Sequence, residues 1–105
     1  MFEAIKKMLG IAPKADFAEL VKQGAMILDV RTKGEYAGGH IRGSVNIPLD
    51  KLVDNLNKLK GKNSPIITCC ASGARSATAK GVLTNRGFTN VHNGGSWMSL
   101  NRKIY

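Results

Sequence analysis

The chain has 105 residues, enough for one domain with a modest core, and 43% of them are hydrophobic, which excludes a disordered chain. No apolar run approaches membrane-spanning length, and the two cysteines are adjacent in sequence, which excludes a disulfide framework. Sixteen Lys and Arg against seven Asp and Glu give a net charge of +9, a field suited to nucleic acid, a membrane surface or small anions.

The basic residues are scattered, and Tyr36, Trp97 and Tyr105 are not interleaved with them as a stacking platform requires. Nucleic acid is therefore not an expected partner. Attraction of small anions is the better use of the charge.

The first nine residues contain Lys6 and Lys7 but no long apolar stretch after them. No signal peptide is expected, and the cytoplasm is the default location. Phe2, Ile5, Met8 and Leu9 fall on one side of a short amphipathic helix, which Gly10 and Pro13 break. Residues 1–13 read as this helix and a linker, and 14–105 as the folded domain.

Asp16 with Glu19 has the capping-box spacing, Phe17, Leu20 and Val21 follow at helical intervals, and Gly24 stops the helix. Ala25 to Val30 is almost continuously apolar, so it reads as a strand buried on both faces of a parallel sheet. Asp29 and Arg31 lie at its carboxyl end, where charges need partners, and an ion pair between them is one outcome. The segment 33–39 is a turn or short helix. A short strand is expected around Ser44-Val45-Asn46, and Asp50 can cap a third helix carrying Leu52, Val53, Leu56 and Leu59.

Ile66-Ile67-Thr68-Cys69 is a β-branched, apolar strand pattern that breaks into Ala71-Ser72-Gly73-Ala74. A helix with Ala77, Ala79, Val82 and Leu83 follows Arg75 and ends at Gly87. A loop of small residues between strand and helix turns its amides inward and forms an anion nest. A cysteine at its rim is expected to be rich in thiolate, because amides and Arg75 favour the charged form. A free cysteine is more often a small buried hydrophobe, so only one of the two is a candidate. Phe88 to His92 reads as the last strand, Gly94-Gly95 as a turn, and Ser96 as the cap of a final helix with Trp97 and Leu100. Helices and apolar strands alternate, which predicts an α/β domain with a mainly parallel sheet and a site at the carboxyl ends of its strands.

Three segments in order resemble the rhodanese (sulfurtransferase) family. They are Leu28-Asp29-Val30-Arg31 with Glu35-Tyr36, then Gly39-His40-Ile41-Arg42-Gly43-Ser44-Val45-Asn46-Ile47-Pro48, and then Cys70-Ala71-Ser72-Gly73-Ala74-Arg75-Ser76. The last is a C-x-x-G-x-R-S loop, and Gly94-Gly95-Ser96-Trp97 is similar to the family's terminal Gly-Gly and Trp element. The resemblance runs from about Asp16 to Trp97 and implies a rhodanese-like domain, with a mainly parallel sheet of about five strands flanked by helices. It also implies persulfide chemistry with no metal or organic cofactor.

By position, the resemblance makes Cys70 the catalytic nucleophile. Ala71, Ser72, Gly73, Ala74, Arg75 and Ser76 become the substrate cradle, with Arg75 contacting an anionic donor such as thiosulfate. Asp29, Arg31, Glu35 and His40 receive bracing roles around it. Ser76 either donates to the sulfur or caps the helix, and the cap is favoured. The acceptor would be cyanide, a small thiol such as glutathione, or a thioredoxin-like protein. A rival register starts at Cys69. Cys69 to Arg75 then reads as the C-x5-R-S signature of cysteine phosphatases and arsenate reductases, although Thr68 stands where phosphatases usually carry His. Counted from Cys70, the loop to Arg75 spans six residues, the sulfurtransferase length; counted from Cys69 it spans seven. A non-catalytic delivery module is the third reading, and the presence of the cysteine argues against it.

Overall fold

The computed structural model describes residues 16–105; the expected helix at Phe2–Leu9 lies outside them. In chain order, α1 (Phe17–Lys22) leads to β1 (Met26–Asp29), α2 (Lys33–Ala37) and β2 (Val45–Asn46). Two 3-10 segments, Leu49–Lys51 and Val53–Lys58, precede β3 (Ile66–Cys70), α3 (Ala74–Asn85), β4 (Val91–Ser96) and α4 (Trp97–Ile104). Among the described residues the sheet has four strands, in the order β2-β1-β3-β4. All three pairings are parallel. The expected parallel sheet flanked by helices is present, with four strands among the described residues where about five were expected.

β3 is central and buried along its whole length. Its side chains alternate between two cores, as strand geometry requires. Ile66 and Cys70 join Leu28, Val30, Ala79, Leu83, Phe88 and Val91 on the face covered by α3. Ile67 and Cys69 join Ile27, Ile41 and Leu100 on the opposite face, against Phe17, Leu20 and Trp97 of α1 and α4. The covering helices explain why these strands are apolar throughout rather than alternating. Among the described residues, no helix is long and apolar enough to cross a membrane.

Three local expectations need correction. Asp16 caps α1 by accepting from Glu19 N, but the Glu19 carboxylate accepts from Gln23 instead of closing a capping box. The closed box is at α2, between Thr32 and Glu35. Leu52 is buried and Leu56 and Leu59 pack on the core, but no α-helix carries them. That stretch is 3-10, its N-cap is Pro48, and Asp50 makes no cap. Asn55 leaves helical angles at φ −127°, and its side chain donates to Lys51 O. Local side-chain bonding by Asn and Asp competes in this way with a regular helix.

The last strand begins at Val91, later than expected, and runs through both glycines. Phe88 is buried from the preceding turn. The β3–β4 register shifts between Thr68 and Cys70, so that Cys70 comes to lie opposite Ser96. Gly94 makes this crossing possible. A Cβ there would lie 2.8 Å from Ile67 Cγ2, Leu100 Cδ2 and Thr68 O. Gly94→Ala is therefore expected to destabilise the fold by about 1–3 kcal/mol through overpacking. Urea unfolding of the variant checks this, and an unchanged midpoint would remove the close approach as a constraint.

Candidate active site

The site forms where β3 ends. Cys70 is the final residue of that strand rather than a residue of the loop, and it has no exposed surface. The chain then turns through Ala71 and Ser72, which are exposed, to Gly73 at φ +107°. Only glycine enters that region without strain, and Gly73 packs close to the backbone of Gly95.

Gly73 is also the N-cap of α3, with no side chain capping the helix. This corrects the assignment of the cap to Ser76, which sits in the first turn. The acceptor for the free amides is the Cys70 sulfur. Gly73 N donates to Sγ at 2.9 Å and Ser76 N at 3.3 Å. Burial opposes ionisation of this thiol. The amides of Ser76, Gly73 and Ser72 outweigh burial and bring the thiol below its ordinary pKa; the Ser76 hydroxyl lies near enough to add a smaller effect, although its own hydrogen bonds run to Gly73 O and Asn93 Oδ1. The sulfur thus occupies the anion position of a helix N-terminus.

Cys69 has the opposite environment. It lies against Ile27, Ile41, Ile67 and Leu100. Burial, followed by the negative charge of Asp29, pushes its thiol up to about 12.

Of the expected bracing residues, Glu35 is bonded to Arg75, and Asp29 and Arg31 make the corner at the end of β1. Asp29 and Arg31 form a buried pair, with Nη2–Oδ2 at 2.7 Å and Nε within 3.0 Å of both carboxylate oxygens. Arg31 also donates to the carbonyls of Glu35 and Gly39, and its guanidinium stacks 4.8 Å from the Trp97 ring. Asn46 donates to the carbonyls of Asp29 and Arg31, which ties β2 to the same corner. His40 is exposed, stacks on Tyr36 at 3.7 Å and donates from Nδ1 to Tyr36 O. It makes no hydrogen bond to the loop after β3.

Arg75 is not a free cation. Its guanidinium is held bidentately by Glu35, with Nη1–Oε1 at 2.7 Å and Nη2–Oε2 at 2.9 Å. Hydrogen bonding from Arg75, with the Thr32 backbone second, holds the Glu35 carboxyl down at about 2. Both side chains are about one-third exposed (35% each), so solvent screens the pair. Arg75, Val30, Thr32, Pro48, Leu49 and Asp50 line a cavity of about 280 Å³ beside the loop.

Asn93 was not anticipated from sequence. Its Oδ1 accepts from Gly95 N at 3.0 Å and from the Ser76 hydroxyl in a short hydrogen bond. An Asn before Gly-Gly reads as ordinary turn chemistry, and only the pairing of β4 with β3 brings it to Ser76.

The family model described as the rhodanese-like domain matches residues 14–99. The uncharacterized protein YqhL of Bacillus subtilis is 36% identical over 69 residues, covering 66% of this chain and 54% of its own. The thiosulfate sulfurtransferase PspE of Escherichia coli is 33% identical over 69 residues, covering 65% of this chain and 66% of its own. The chain therefore spans less than two thirds of either relative. A solved E. coli structure described as a rhodanese with anions superposes with a TM-score of 0.69 at 30% identity, covering 72% of this chain and 91% of that one.

A parallel α/β domain with a cysteine caught on the amides of the following helix is thus the class defined by fold and site. The chain belongs to the rhodanese-like domain family.

The two thiols are expected to differ in reactivity. As pH rises, Cys70 should be alkylated by iodoacetamide below the ordinary thiol range, and Cys69 only after unfolding. Peptide mass spectrometry distinguishes them; alkylation of Cys69 first in the folded chain would overturn the electrostatic assignment.

Proposed function

We propose that this chain is a sulfurtransferase that carries a sulfane sulfur on Cys70 as a persulfide. The observation that carries the reading is the pair of amide contacts on the Cys70 sulfur at the N-terminus of α3. The family relationship and the name of the E. coli relative support it.

The cycle balances without a metal or an external oxidant. The Cys70 thiolate attacks the outer sulfur of thiosulfate. A new Sγ–S bond forms, the donor's S–S bond breaks, and sulfite leaves with the electron pair. The terminal sulfur of the persulfide carries the negative charge, and the amides of Gly73 and Ser76 that now meet Sγ are the donors proposed to stabilise it. Cyanide or a thiolate acceptor then attacks that terminal sulfur. The Sγ–S bond breaks and the electron pair returns to Cys70. A depressed thiol pKa removes the need for a general base, and His40 is exposed and bonded to Tyr36 O instead.

Because Cys70 has no exposed surface, the exposed Ala71 and Ser72 must give way as a donor enters. The cavity beside Arg75 is the natural approach for a small acceptor. Arg75 reaches a donor with the guanidinium edge that Glu35 leaves open, while the pair keeps the loop in place. Against the rival register, Cys69 faces the α1–α4 core and is disfavoured as a thiolate by its surroundings.

Cys70→Ser should abolish the 32-dalton gain seen by intact mass after thiosulfate treatment, because a serine hydroxyl has almost no anionic fraction at neutral pH. Cys69→Ser should keep that gain and lose about 1 kcal/mol of stability. A sulfur adduct in Cys70→Ser, or its loss in a folded Cys69→Ser, overturns the reading, and aryl-phosphate hydrolysis dependent on Cys69 would favour the phosphatase alternative.

Arg75→Ala should lower kcat/KM for thiosulfate by about 2–4 kcal/mol in transition-state terms. Steady-state thiosulfate–cyanide kinetics reads this, and an unchanged value in a folded variant removes Arg75 from donor recognition.

A further inference from the structure

We propose that Asn93 is a positioning residue for Cys70, acting through Ser76: its side-chain oxygen holds the Ser76 hydroxyl proton away from the sulfur. The inference rests on Cys70 being the reactive thiol.

Ser76 is fully buried, and its amide already donates to Cys70 Sγ. Its hydroxyl has one proton to give. Two acceptors compete for it, Gly73 O at 3.1 Å and Asn93 Oδ1. The orientation of the Asn93 amide is set by Gly95, whose N–H points at Oδ1 from 3.0 Å. A flipped amide would place an NH2 against that N–H, two donors face to face. The oxygen therefore faces Ser76, and the hydroxyl must donate to it.

Without Asn93 Oδ1, the remaining acceptors are a neutral carbonyl and a thiolate. Hydrogen bonds to an ionised acceptor are the stronger kind, so the proton would turn towards sulfur. The thiolate would become more abundant at low pH and less nucleophilic per molecule, because nucleophilicity falls with basicity. Asn93 thus keeps the sulfur from being over-stabilised. It does so from β4, 23 residues beyond Cys70 in sequence (93 minus 70).

The direction of change separates this role from a merely structural one. Loosening the loop would loosen the amides of Gly73 and Ser76 and slow alkylation at acidic pH. Redirecting Ser76 does the reverse. Asn93→Ala is expected to speed iodoacetamide alkylation of Cys70 about three- to tenfold well below the thiol pKa, and to lower the limiting rate at high pH. Asn93→Leu keeps the side-chain volume without the acceptor and should behave alike, which covers the case in which the alanine variant folds poorly. Asn93→Asp retains the acceptor and should show no acceleration. In a Ser76→Ala background, Asn93→Ala should have no accelerating effect.

Alkylation at Cys70 is read by peptide mass spectrometry with no sulfur donor present, so the result is independent of whether the chain transfers sulfur. Slower or unchanged acidic alkylation in both Asn93→Ala and Asn93→Leu, or equal acceleration without Ser76, overturns the proposal.

Discussion

The amides that open α3 need an acceptor, and no side chain at the N-cap supplies one. The Cys70 sulfur fills that role through Gly73 N and Ser76 N. Helix and thiol are therefore mutually dependent. The sulfur accepts from donors that would otherwise be orphaned at the helix start, and those donors favour its charged form against the opposing effect of burial. The remaining features of the domain hold this contact in register.

β3 is the first of them. Parallel pairing with β1 and β4 buries it on both faces. Strand alternation then sends Cys69 and Cys70 to different cores. One thiol meets backbone donors; the other meets aliphatic side chains and the charge of Asp29. Two chemically identical neighbours are separated by the period of a strand and by which helix covers each face.

The second is the charged corner at the end of β1. Asp29 and Arg31 satisfy one another inside the fold, and Arg31 spends its other donors on the carbonyls of Glu35 and Gly39. A buried pair of this kind contributes little net stability compared with an apolar replacement, but losing one partner costs about 3–5 kcal/mol. Its structural effect is to fix α2, whose capping box sets Glu35 against Arg75 in the first turn of α3. A chain of hydrogen bonds thus runs from the first strand to the cradle. Its last link, the Glu35–Arg75 pair, is about one-third exposed and softer than the buried corner that positions it.

The alternation of helices and apolar strands, the strand that ends in cysteine and the Gly-centred loop are legible in the residue order alone. Each is a local pattern, in which hydrophobic period, turn chemistry and residue order act over a few neighbours. The 3-10 path after Pro48 was harder to read, because an apolar stripe at helical spacing looks the same whether or not Asn55 breaks the geometry. Tertiary structure alone decided where β4 begins, that Arg75 is clamped by Glu35, and that Asn93 meets Ser76. Those contacts join residues 17 to 40 positions apart. The run Val91 to Ser96 becomes a strand because β3 offers it a partner and Gly94 has no Cβ to collide with Ile67 and Leu100. Pairing energies of that kind belong to the assembled sheet, and no window of neighbouring residues contains them.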